Sequence, residues 1–206
     1  MRLFTRGFKG RQSDGGTPRD RVPPGQFVTR DFPVLTAGPT QQTSLDNWSL
    51  ELRRGAEVLA HWSWAQFEAL PQTVQTVDIH CVTKWSKFDT RWRGVTFDDL
   101  IKAAGLASPP HEYVMAHCDG GYTTNLPVAD LVEGKAMVAT HFDGAPLAAT
   151  HGGPARLLVP HLYFWKSAKW VRRLVFMETN APGFWESAGY HIYGDPWREQ
   201  RYTGDP

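Results

Sequence analysis

The rhythm of apolar and polar positions changes several times along the chain, and each change marks an element. Trp48-Ser49-Leu50-Glu51-Leu52 alternates with period two and runs into Arg54-Gly55, which predicts a strand entering a hairpin. Ser63 to Leu70 places a capping serine before Trp64, a glutamine three residues on, and Pro71 as a stop, so a short helix is expected. From Thr73 to Thr83 the period returns to two, with Val77, Ile79, Cys81 and Thr83 assigned to one face of a strand. Thr96 to Gly105 predicts a helix capped by threonine and ended by glycine.

Further strands are expected at Tyr113–Cys118, Ala136–Phe142, Ala155–Val159 and Trp170–Met177, with a helical turn at Val128–Val132. Asp119-Gly120-Gly121, Asp143-Gly144 and Pro160 punctuate them. Phe27 to Val34 reads as extended chain, and the tail after Asn180 as irregular and aromatic. Residues 1–26 carry charge, glycine and proline without periodicity. They are expected to form an N-terminal arm ahead of one domain at 27–206.

Composition sharpens this picture. In 206 residues, 19 Gly, 15 Pro and nine Trp favour a β-rich α+β domain over a helix bundle. Twenty-two Lys and Arg against 21 Asp and Glu give a net charge of +1, which argues against nucleic acid as a partner. No apolar run is long enough for a membrane helix, and the basic start lacks the apolar core of a secretory signal. With only two cysteines, the expectation is a cytoplasmic protein with reduced thiols and no membrane association.

Three groups of residues could carry chemistry. Cys81, with Lys84 and Lys87 close behind, is a candidate thiolate or a small buried hydrophobe. His80-Cys81 and His117-Cys118 together offer four zinc-type ligands, although neighbouring strand residues point to opposite faces. His151-Gly152-Gly153-Pro154-Ala155-Arg156, followed by Lys166, Lys169, Arg172 and Arg173, could hold one anionic group on a loop of small residues, or be a hairpin turn beside solvated charges. No Gly-x-Ser-x-Gly elbow supports a hydrolase.

In this order, the strings resemble a known family. Asp78-Ile79-His80-Cys81-Val82-Thr83-Lys84-Trp85-Ser86 with Trp92-Arg93-Gly94-Val95 resembles the molybdenum-ligand segment of the sulfite oxidase superfamily, in particular its small bacterial members built of the molybdopterin domain alone. His151 to Pro160 with Lys166-Ser167-Ala168-Lys169-Trp170 resembles the pterin-phosphate segment. Gly183-Phe184-Trp185-Glu186-Ser187-Ala188-Gly189-Tyr190 resembles the stretch carrying the active-site tyrosine.

The resemblance implies a mixed α+β, β-rich molybdopterin-binding fold and a molybdenum-molybdopterin cofactor without haem. It makes Cys81 the metal ligand and Tyr190 the second catalytic residue. Phe27, Thr29, His151, Arg156, Ser167, Ala168 and Lys169 become the cofactor-binding set. The implied activity is two-electron oxygen-atom transfer on a small sulfite- or sulfoxide-like oxo-substrate, with electrons exchanged with a partner protein. Two other readings stay open: a pterin-binding module without turnover, and a zinc-stabilised binding protein. Thr29, Lys84, Trp85 and Ser86 stand where sulfite oxidases carry arginines, leaving Lys84, Lys87 and Arg91 to grip a dianion.

Overall fold

The computed structural model describes residues 19–206. Two sheets, built from strands numbered in chain order, dominate it. One runs β3 (Glu57–Ser63), β2 (Ser49–Arg54), β11 (Val171–Met177), β6 (Tyr113–Cys118), β7 (Thr123–Pro127). Its β2–β11 pair is parallel and its other pairs are antiparallel. The second sheet is organised by β5 (Trp85–Thr96), a 12-residue strand. β4 (Thr73–His80) pairs along β5, β1 (Phe27–Val28) pairs in parallel with its start, and β8 (Met137–Phe142) pairs with its far end. β10 (Arg156–Leu158) and the two-residue β9 (Ala145–Pro146) extend the sheet from β8.

The second sheet is covered on both faces, which explains why several of its strands do not alternate apolar with polar. Val138 and Leu157 join the larger core with Leu50, Leu52, Val114, Leu174 and Phe176. Their neighbours Met137, Ala139 and Leu158 point the other way, into a smaller cluster with Ile79, Cys81, Trp85 and Trp92. Arg156 sits between Ala155 and Leu157 on the strand, so its side chain shares Leu158's face and reaches the smaller cluster.

Short helices close the larger core. α1 (Trp64–Glu68) begins with the expected capping box between Ser63 and Gln66, and sets Phe67 edge-on to Trp48. α2 (Phe97–Ala103) is capped by Thr96, whose hydroxyl accepts from the Asp99 N–H, and buries Phe97, Leu100 and Ile101. Gly105, at φ +72°, takes the left-handed position that ends it.

Several strands lie beyond what the pattern predicts. β3 is an edge strand with few buried positions, so it carries little hydrophobic signal. β5 is rich in charged and hydroxyl residues, and β7 buries Thr124 and Asn125 in hydrogen bonds instead of apolar contacts. The expected strand through Thr83 stops at His80, because the chain turns at once, with Lys84 N–H donating to the Cys81 carbonyl. Only Phe27–Val28 of the extended segment is a strand. The tail contains α3 (Phe184–Ser187), where no helix is expected from the sequence.

Part of the N-terminal arm is anchored. Arg21 bonds Asp78 through Nε at 2.8 Å and Nη2 at 2.6 Å, and Gln26 donates to the Cys81 carbonyl at 3.1 Å. Residues 1–18 of the arm lie outside the described residues.

Candidate functional site

Cys81 opens the turn that joins β4 to β5. Its N–H donates to Trp85 O at 2.8 Å and its carbonyl accepts from Lys84 N at 2.9 Å, which closes a tight hairpin. Lys84 occupies the left-handed region at φ 77°. The hairpin is braced from outside: Arg201 donates to the Val82 carbonyl at 2.7 Å and lies 4.9 Å over the Tyr163 ring. This fixes the Cys81 Sγ, whose near neighbour is the Thr83 hydroxyl, donating at 3.1 Å. Burial pushes the Cys81 thiol up, while Thr83 and the Arg201 charge oppose that.

The sulfur faces a cavity of about 290 Å³, close to the lower end for small-molecule sites. One side is the 149–170 region, contributing His151, Arg156, Ser167, Ala168, Lys169 and Trp170. Close approach there requires glycine. A Cβ on Gly153 would lie 1.9 Å from Leu147 O, and one on Gly152 would lie 2.9 Å from the Lys169 Cα. Much of the lining is aromatic: Tyr122, Phe164, Trp165, Phe184, Trp185 and Tyr190. Residues 32–41 supply much of the remaining wall, with the Phe32 ring stacked on His151 at 3.9 Å.

Two cations meet this cavity without a carboxylate partner. Arg156 is fully buried; it donates to the carbonyls of His151 and Ser167 and lies 4.1 Å over the Phe164 ring. Burial lowers its pKa to about 9, so it remains charged at neutral pH. Lys169 donates to the Leu35 and Thr150 carbonyls at 2.8 and 2.6 Å. Burial and the Arg156 charge lower its pKa to about 8. Burial first, then Lys169 and Arg156, hold the His151 imidazole near 4, so it is neutral. Carbonyl dipoles alone do not compensate two desolvated positive charges, so the region favours an anion.

The same region offers unused donors. The backbone N–H groups of Ala168 and Lys169 take no acceptor among the described residues. His151 Nδ1 and Trp85 Nε1, buried atoms of cavity-lining side chains, also lack partners. A soft sulfur and a cationic, donor-rich loop lining one cavity suit a group that combines a thiophilic metal with a phosphate. The residues present therefore fit a molybdenum-molybdopterin.

Residues 37–185 match the oxidoreductase molybdopterin binding domain family. The chain belongs to that family. It is 43% identical over 198 residues to the uncharacterized oxidoreductase YuiH of Bacillus subtilis, covering 96% of this chain and 98% of the relative. It is 28% identical to the putative protein-methionine-sulfoxide reductase subunit YedZ1 of Azospira oryzae, over 83% of this chain and 66% of that protein. Mitochondrial sulfite oxidase of Drosophila melanogaster is 24% identical, but the match spans 50% of this chain and 19% of that one. The crystal structure of the sulfane dehydrogenase SoxCD from Paracoccus pantotrophus superposes with a TM-score of 0.59 at 20% identity, over 68% of this chain and 40% of its own. The fold is the sulfite-oxidase-type molybdopterin domain, mixed and β-rich as expected.

The structure gathers most of the expected site residues and separates others. Cys81, His151, Arg156, Ser167, Ala168, Lys169 and Tyr190 line one cavity. Phe27 and Thr29 do not: Phe27 pairs with Trp85 in β1 and packs on the smaller core, and Thr29 caps a local turn to Asp31. Their segment reaches the cavity farther along, through Phe32 and Pro33. The Ser167 hydroxyl accepts from the Val159 N–H, so it braces the loop.

The zinc arrangement is not formed. Among the described residues no three His, Cys, Asp or Glu side chains gather as metal ligands. His80 bonds Ser86 at 2.8 Å instead, and Cys118 lies outside the cavity lining. Lys84, Lys87 and Arg91 are likewise absent from that lining.

Sequence reasoning missed Phe32, Tyr122 and Arg201, along with the buried Lys166–Glu186 pair, whose Nζ–Oε1 distance is 2.6 Å. Lys166 in that pair bonds Asn125 and Ile192 as well as Glu186, and does not line the cavity. Among the described residues no helix is long and apolar enough to cross a membrane.

Proposed function

We propose that this chain is a molybdenum-molybdopterin enzyme that catalyses two-electron oxygen-atom transfer on a small oxo-substrate of the sulfite or sulfoxide type. The observation that carries this reading is the shared cavity: the Cys81 sulfur, the unpaired Arg156 and Lys169 cations and the Tyr190 ring all face it. When bound, the cofactor supplies oxygen-atom transfer coupled to a two-electron change at the metal. A sulfoxide would take up two electrons and two protons to give a sulfide and water. Sulfite and water would release them to give sulfate.

The remaining tasks fall to the protein. Cys81 Sγ is the thiolate ligand, and the Thr83 O–H bond to it offsets part of the charge it carries once deprotonated. Arg156, Lys169 and the Ala168 and Lys169 N–H groups would hold the pterin phosphate, and the His151 ring, fixed by stacking on Phe32, would bind the pterin. Tyr190, flanked by Trp165 and Trp185 at ring distances of 5.1 and 5.0 Å, is held at the substrate side. Burial raises its pKa, so it keeps its proton and can donate a hydrogen bond to a substrate oxygen. The aromatic walls exclude water around that bond.

Electrons come from or go to a separate redox protein, in a reduced intracellular compartment. The test is metal and pterin analysis of the purified protein, with turnover of sulfite and of a sulfoxide. About one molybdenum and one pterin per chain, with turnover lost in Cys81→Ser, is expected. Zinc alone would overturn the proposal, and full cofactor loading without turnover would leave a binding module.

A further inference from the structure

The rings that pack against Tyr190 are uncharged: Trp165 at 5.1 Å, Trp185 at 5.0 Å and Tyr202 at 5.6 Å. Arg156 is tied to the His151 and Ser167 carbonyls, and Lys169 to those of Thr150 and Leu35. Asp119, the one lining carboxylate among the described residues, accepts from Thr43 at 2.7 Å and lies 3.5 Å from Arg172. Phe184, packed on Trp185 and Tyr122, extends this aromatic lining, and none of these rings is charged at neutral pH.

The cations that sequence position suggests for gripping a dianion are elsewhere. Lys87 donates to the Arg30 carbonyl at 2.6 Å, and Lys84 is exposed on the outside of its turn. Arg201 is committed to the Val82 and Pro24 carbonyls.

The aromatic wall also continues out of the cavity. Tyr202 packs edge-on against Tyr190 at 5.6 Å and is 54% exposed. Phe184 packs edge-on against Trp185 at 5.1 Å and is 43% exposed. The contact chain Phe184–Trp185–Tyr190–Tyr202 thus forms an aromatic ramp with an exposed ring at each end. Large apolar rings exposed beside a cavity are the usual signature of a ligand surface, and edge-on pairs leave ring faces free to receive another ring.

We propose that Phe184 and Tyr202 are specificity-determining residues, and that the substrate is an uncharged oxo-compound with an aromatic or bulky apolar body, such as an aryl sulfoxide, in preference to a small oxyanion. This rests on the oxygen-transfer reading above. The apolar body lies on the ramp and the oxo group points inward toward Tyr190. Partial burial of a phenyl ring is worth roughly 1.5 kcal/mol or more, about tenfold in binding.

The test uses molybdenum-loaded protein with reduced benzyl viologen. Two reduced viologens and two protons convert methyl phenyl sulfoxide to methyl phenyl sulfide and water. The expected kcat/KM for methyl phenyl sulfoxide exceeds that for dimethyl sulfoxide by at least about tenfold, and Phe184→Ser with Tyr202→Ser lowers that ratio by about tenfold.

A second readout needs no turnover. Methyl phenyl sulfone, which resists this reduction, quenches tryptophan fluorescence of the wild type with a Kd about tenfold lower than in the double variant. A ratio near one, unaltered sulfone binding, or sulfite oxidation more efficient than aryl sulfoxide reduction overturns the proposal. Protein that binds the sulfone but lacks molybdenum would instead defeat the oxygen-transfer reading and leave the ramp standing.

Discussion

Breaking the buried Lys166–Glu186 pair should unfold much of what holds Tyr190. The two side chains are 0% and 1% exposed and meet at 2.6 Å. Lys166 also donates to Asn125 O and Oδ1 and to Ile192 O, at 2.9, 2.9 and 2.8 Å. Glu186 Oε1 accepts from Thr124 and from the Trp165 indole, both at 2.9 Å. The pair therefore joins β7, α3, the cavity wall and the tail.

In Glu186→Gln the amide oxygen can still accept from Thr124 and Trp165, but the Lys166 ammonium loses its counter-charge. Removing one partner of such a pair costs about 3–5 kcal/mol. Lys166 has one escape, which is to fold neutral. Shedding the proton of an ordinary lysine at pH 7 costs about 4–5 kcal/mol, so this sets a ceiling of similar size.

The sign of the pH dependence follows. Burial already depresses Lys166, and without Glu186 its folded pKa falls further below the unfolded value. The unfolded chain then holds a proton that the folded variant lacks, so stability is regained as pH rises toward about 10, by at most about 1.4 kcal/mol per unit. Guanidinium titrations of wild type and variant at pH 7 and 9 measure both effects. A loss below about 1 kcal/mol at pH 7, or a deficit that does not shrink by pH 9, would refute the reasoning.

Gly153→Ala should cost at least about 2 kcal/mol, read as a lowered Tm, because its Cβ would overlap the Leu147 carbonyl at 1.9 Å. A phosphate-bearing pterin should raise the Lys169 pKa from about 8, so binding at pH 8.5 should take up protons. Calorimetry in two buffers of different ionisation enthalpy reads that uptake. His80 and His151 are both held near 4, below the unfolded value of about 6.5. The unfolded state therefore binds more protons between those limits, and stability should fall as pH drops from about 6.5 to 4. His151→Asn should flatten that limb in urea titrations.

What the sequence reveals depends on how local each signal is. The caps at Ser63 and Thr96 are legible because they act within four residues. An alternating strand such as β2, or a compact apolar run such as β6, also announces itself. β5 does not, since its polar positions are consumed by partners from distant segments, among them Asp78, Glu68 and His141.

The site divides in the same way. Cys81, Arg156, Lys169 and Tyr190 sit in strings distinctive enough to resemble a family. Phe32 and Arg201 act through contacts across the fold: Phe32 stacks on His151, more than a hundred positions away, and Arg201 braces Val82 from the far end of the chain. Thr29 shows the limit of position along the chain. Its place in the sequence suggests a ligand contact, but the chain does not reach the cavity until Phe32.

The central claim is that the Cys81 sulfur binds molybdenum. X-ray absorption at the molybdenum edge, on purified wild type and Cys81→Ser, counts the sulfur ligands directly. The account predicts that the wild type shows one sulfur more than the variant, with the pterin sulfurs retained in both. An identical sulfur count in the two proteins, or a wild type without molybdenum, would contradict it.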